Sequence, residues 1–268
     1  MPRLLPNRFC ALAAAVSLGA SLAAAPAHAG GIFEIVHPDV EEGAAEFEVL
    51  STVILGGVGM GEERSVHELA FGFGVTDYWK PVLAFEIANP RGEAPVVEAI
   101  EIGNVFILLG GHGHDDDDHG ADDHDDDHSG FTLGFFAGTE LPTESDAKPS
   151  ISFGPIGEAE VGPVKLLGNL FLEIPTSSET PGISYAFGAS VPVSNTFAVG
   201  IEAHGGFEEL FGSNTPDFED QEHYVGPAIY GTFKTADGLT IEPRAALLFG
   251  LTDAAEDMAP SVNLEFKF

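Results

Sequence analysis

Residues 112–128 read HGHDDDDHGADDHDDDH, five His and nine Asp in seventeen positions. Imidazole nitrogens suit Zn, Ni and Cu, and carboxylates add negative charge and accept harder cations. The candidate metal ligands are His112, His114, Asp115, Asp116, Asp117, Asp118, His119, Asp122, Asp123, His124, Asp125, Asp126, Asp127 and His128. Their spacing fits no rigid coordination template, and with Gly113, Gly120 and a single apolar residue, Ala121, the tract cannot bury a core. The chemistry it offers is loose chelation of divalent transition metal at several sites, unlike a closed structural site. The alternative is a solvated acidic loop whose His residues hold nothing. Neither reading requires a resident cofactor.

A second set of residues emerges from alternation along the chain. Parity places Glu68, Lys80, Glu86, Glu140, Glu158, Glu160, Lys165, Glu173, Glu202, His204, Glu242, Arg244, Glu265 and Lys267 on the polar faces of successive segments. Acids outnumber bases, so a pore lined by them would favour cations. Alternatively the charges pair across a closed lumen and conduct nothing. For hydrolysis, His204 and His223 are the conceivable bases and Ser184, Ser190 and Ser213 the conceivable nucleophiles, but no motif ties a Ser to either His. Phosphate-loop, dinucleotide and metalloprotease motifs are missing from the sequence. The expectation is a protein that is not an enzyme.

Period-two alternation broken by Gly, Pro, Asn and Asp must position these groups. Trp79, Pro81, Leu83, Phe85 and Ile87 alternate with Lys80, Val82, Ala84 and Glu86; Leu239, Ile241, Pro243, Ala245 and Leu247 alternate with Thr240, Glu242 and Arg244. A soluble sandwich also alternates. Here many segments reach nine to twelve residues, the length that crosses a bilayer at a tilt and longer than the usual soluble strand. Residues 1–29 read as an export signal: Arg3 and Arg8, an apolar run to about Ala25, then Ala27-His28-Ala29. The expected organisation is a signal peptide 1–29, a short periplasmic segment 30–44, and an all-β transmembrane antiparallel barrel over 45–268.

Segments starting near Ala45, His67, Tyr78, Pro95, Phe131, Ser150, Val164, Ile183, Phe197, His223, Leu239 and Pro260 make about twelve strands. Ten or fourteen stay open, because 95–109 alternates poorly. Short turns such as Gly162-Pro163 should face the periplasm, beside an aromatic girdle of Tyr78, Trp79, Phe197, Phe233 and Phe268. With twelve strands the His/Asp tract joins strands four and five on the periplasmic side; one strand miscounted moves it to the cell surface. The formal net charge of -33 repels phosphate backbones and excludes a nucleic-acid partner. The lone cysteine, Cys10, lies in the signal segment and excludes a disulfide scaffold.

The terminal strand ending on Phe268 resembles the C-terminal signal that barrel-insertion machinery recognises in Gram-negative outer membranes. The stretch His67-Glu68-Leu69-Ala70-Phe71-Gly72-Phe73-Gly74-Val75-Thr76-Asp77-Tyr78-Trp79-Lys80 resembles a hairpin in a group of largely uncharacterised proteobacterial outer-membrane proteins. Glu98 to Phe106 is similar to a neighbouring stretch of that group. The resemblance implies a transporter-like barrel in outer-membrane lipid and supplies no substrate. The His/Asp tract departs from that pattern. The sequence therefore points to a passive channel or binding barrel for a small solute or cation, with a chelating tract. The rival is a non-conducting structural or metal-sensing barrel.

Overall fold

The structure, a computed structural model, describes residues 33–55, 64–90, 92, 94–110, 130–145, 147–177, 180–208, 210 and 216–268. The expected signal segment 1–29, Ser213 and the tract 112–128 lie outside the described residues. The strands are β1 (Ala45–Ile54), β2 (Arg64–Phe73), β3 (Trp79–Pro90), β4 (Val96–Leu109), β5 (Phe131–Pro142), β6 (Ser150–Val161) and β7 (Val164–Pro175). They continue with β8 (Gly182–Pro192), β9 (Phe197–Phe207), β10 (His223–Gly231), the two-residue β11 (Phe233–Lys234), β12 (Thr240–Gly250) and β13 (Met258–Lys267). One short 3-10 turn, Phe218–Asp220, precedes β10.

Each strand pairs antiparallel with its neighbours, β10 pairs β12, and β13 pairs β1 from Glu46↔Lys267 to Thr52↔Ser261. The result is a closed ring of twelve strands, with β11 a short extension beside β12. Closure satisfies every ladder without leaving an edge, the condition for strands in lipid. The twelve-strand expectation holds, and six of the predicted starts coincide with observed ones. β2 begins at Arg64 where the sequence suggested His67, and β13 at Met258 where it suggested Pro260. The weak alternation of 95–109 has a physical cause. Its pairing with β3 shifts register between Glu86 and Ile87, and its pairing with β5 shifts between Ile107 and Leu109.

The distribution of side chains is inverted relative to a soluble protein. Phe71, Leu83 and Ile201 are 48%, 40% and 60% exposed on the outer face, while Thr52 and Glu202 inside are 0% and 1% exposed. An apolar exterior around a polar interior is the arrangement lipid demands. Turns at 74–78, 162–163, 193–196 and 235–239 are short and lie at one end, with Ala45 and Phe268. The connections from β1, β3, β5, β7, β9 and β12 to the next barrel strand lie at the other. The β4–β5 connection, which contains the tract, leaves and re-enters the ring at the short-turn end.

Residues 33–40, part of the segment expected as a periplasmic lead-in, run inside the ring. Three hydrophobic clusters line the lumen, and each contains one residue of this segment: Phe33 with Tyr224 and Leu248, Ile35 with Leu167 and Ala186, Val40 with Val105, Phe136 and Ile156. The apolar core of the molecule is thus organised around its own N-terminal plug. The chain leaves the plug through Gly43 at φ 84°, a conformation that a side chain would strain. There Gly43 donates to the Gly74 carbonyl at 2.8 Å. A Cβ on Gly74 would meet the Glu41 carbonyl at 1.8 Å, so glycine is needed where plug base and β2 touch.

Candidate functional site in the lumen

The plug is held by a paired set of polar groups on one side of the ring. Glu202 of β9 and Arg244 of β12 reach the lumen because both lie on the inward parity of their strands. Arg244 Nε donates to Glu202 Oε1 at 2.6 Å, and its Nη2 to Glu202 Oε2. Tyr230 donates its hydroxyl to Glu202 Oε1 at 2.6 Å, and His204 Nε2 lies 3.2 Å from Oε2. The remaining guanidinium nitrogen, Nη1, donates to the Phe33 carbonyl at 2.8 Å. The Phe33 ring sits edge-on to His204 and Tyr224, at 5.3 Å and 4.8 Å. Such a bidentate, fully partnered pair is strong, and removing one member leaves a buried charge.

Two further anchors fix the course of the plug. Asn169 of β7 accepts from the Val36 N–H at 2.7 Å and donates to the Val36 carbonyl at 2.8 Å, pairing with both backbone groups of one residue. Lys267 of β13 binds Asp39 and Glu242, each at 2.7 Å, with Glu265 at 3.4 Å. Glu158 pairs with Lys165 at 2.8 Å and lies 3.9 Å from His37 of the plug.

The neighbouring stretch of wall, from β13 through β1 to β4, is different. Here Glu46 and Glu48 of β1, Glu68 of β2, Glu101 of β4, Glu265 of β13 and Glu34 of the plug line a chamber of about 60 Å³. Lys80 of β3 lines it too and pairs with Glu46, while Asn263 donates to Glu48. Glu68 is 8% exposed and no hydrogen-bond donor reaches it among the described residues. Burial, reinforced by the Glu48 and Glu101 carboxylates, pushes the Glu34 carboxyl well above the usual carboxylate range, against the pull of Lys80 and Arg244.

The structure brings together Glu202, His204 and Arg244, places Glu68 and Lys80 at the acidic chamber, and sets Glu158 and Glu242 against cationic partners. Glu86, Glu140 and Glu173 are partly buried on β3, β5 and β7 at inward parity. Sequence reasoning missed Glu34, Glu46, Glu48 and Glu101. Glu46 and Glu48 carry a legible signal, alternating with Phe47 and Val49. Glu34 had none, because nothing in its surroundings marks residues 33–40 as lumenal. Neither His204 nor His223 has a serine hydroxyl as hydrogen-bond partner among the described residues: His223 bonds Tyr185 at 2.8 Å, and His204 belongs to the Glu202 network.

No protein-family model and no curated protein matches the sequence. Among solved structures, an outer-membrane channel from Pseudomonas putida F1 is 11% identical, with 85% of this chain and 96% of that chain covered and a TM-score of 0.53. The NanC porin is 8% identical, with 83% of this chain and 98% of that chain covered and a TM-score of 0.51. At these identities the likeness speaks to architecture. In fold, then, the chain is an outer-membrane β-barrel.

Proposed function

We propose that the protein is a passive, cation-preferring channel or binding barrel of the Gram-negative outer membrane. The observation that carries this reading is the acidic chamber, where Glu34, Glu46, Glu48, Glu68, Glu101 and Glu265 face Lys80. A wall of one sign raises the local concentration of counter-ions and repels anions. The likeness of 83% and 85% of the chain to a porin and a channel structure supports the barrel-channel part of this reading. The C-terminal strand ending on Phe268 would engage the insertion machinery, and outer-membrane lipid would surround the apolar face.

The His/Asp tract extends this reading to divalent transition metal. Both strands flanking it meet the short-turn end, so the tract would face the periplasm, where it would buffer Zn, Ni or Cu or hand it on. The rival reading, a non-conducting structural or metal-sensing barrel, is favoured by the plug, since residues 33–40 fill lumenal space at three clusters. Planar-bilayer recording of the refolded mature chain, with and without micromolar zinc, separates the two. Cation-selective steps support the channel; silence from protein shown to be folded rejects it and leaves a scaffold for the tract.

A further inference from the structure

The acidic chamber poses a charge problem that the described protein groups do not solve. Of its carboxylates, Glu46 has Lys80, Glu48 has Asn263 and Glu265 has Lys267. Glu34, Glu68 and Glu101 have no hydrogen-bond donor among the described residues, and Glu68 is nine-tenths buried with its side chain at the chamber wall. Carboxylates enclosed together without partners must take up protons or a cation. The three unpaired side chains, Glu34, Glu68 and Glu101, offer only oxygen, which suits a hard ion; the imidazole on the wall, His37, lies 3.9 Å from Glu158. Among the described residues no three acidic or His side chains converge closely enough to grip a bare ion. The chamber, at about 60 Å³, does have room for ordered water between ion and wall.

We propose that this chamber binds one hard divalent cation of the Mg²⁺ or Ca²⁺ class, held largely through retained water by Glu34 of the plug and by Glu68 and Glu101 of the wall. The site is composite: Glu34 belongs to the plug, Glu68 to β2 and Glu101 to β4. A cation there pins the plug to the wall of β2 and β4 as the Arg244 network pins it to β9 and β12. This deepens the cation-preferring reading of the lumen, naming the ion class and its place.

The test is equilibrium binding of Mg²⁺, and separately Ca²⁺, to the folded mature chain and to its E34Q/E68Q variant, with E34Q alone as a second variant that touches no strand. The tract is present in all three, so it cancels in the difference. The expected result is an ion-dependent rise in thermal midpoint in the wild type that E34Q/E68Q lacks, with one ion per chain fewer bound by the variant. Equal stoichiometry in folded wild type and variants overturns the proposal and means that the carboxylates carry protons. Conductance recorded on the same samples keeps the two readings apart. A silent barrel that still loses one ion on substitution retains the site and rejects the channel, whereas a conducting barrel with unchanged binding does the reverse.

Discussion

Two neighbouring clusters in the lumen use the same residue types to opposite ends. Around Glu202, every hydrogen-bonding direction of a buried carboxylate is taken by Arg244, Tyr230 and His204, and the guanidinium spends its spare donor on the plug backbone. Around Glu68, carboxylates face one another with a single ammonium that Glu46 already occupies. Complete pairing fixes a structure, whereas incomplete pairing leaves a demand for a ligand. The difference teaches that a lumenal charge read from alternation has no fixed meaning until its cross-ring partner is known.

The sharpest way to break the comparison is Arg244→Ala. It strands Glu202 and releases Phe33, and should destabilise the folded barrel by about 3–5 kcal/mol in reversible urea unfolding. Asn169→Ala follows. It removes both bonds to Val36, with an expected loss of about 1–3 kcal/mol and faster proteolysis of the plug. Carboxylate-to-amide exchange then tests the contrast directly: Glu202→Gln should lower the thermal midpoint, and Glu101→Gln should raise it in buffer free of divalent cations. Equal signs at the two positions would abolish the distinction.

The smallest expected effect is a pH dependence from Glu34. Its carboxyl is raised in the seated plug, so the seated state binds the proton more tightly than a displaced, solvated one. Seating is therefore favoured on the acid side, most fully below the ordinary carboxylate range near about 4.3, and that advantage disappears as pH rises through the elevated value. In buffer free of divalent cations, protease protection of the plug should weaken between acid and mildly alkaline pH in the wild type. In Glu34→Gln that slope should flatten, and an unchanged slope would assign the titration to other groups.

Strands were legible because alternation is a local property: the Trp79 to Ile87 and Leu239 to Leu247 series stand out without knowledge of their neighbours. Glu68, Lys80, Glu202 and Arg244 were placed on the lumenal side by the same parity. Glu101 was lost because register shifts at Ile87 and Ile107 disturb the strand that carries it. The plug was lost for a deeper reason. Phe33, Ile35 and Val40 become buried only after twelve strands enclose them, and no window of sequence around residue 33 contains that information.

The plug contacts have a consequence for assembly. Val36 and its partner Asn169 are 133 residues apart, and Phe33 and Arg244 are 211 apart. Their partners sit on β7 and β12, and the space between exists only once β1 and β13 have zipped together. Seating is thus a terminal event, delayed by the loop closures that precede it. A strand slipped by one residue would turn Asn169 or Arg244 outward and leave the segment with nothing to dock on. The N-terminal segment can therefore serve as a proofreading device, reporting by its own burial that the ring has closed in the correct register.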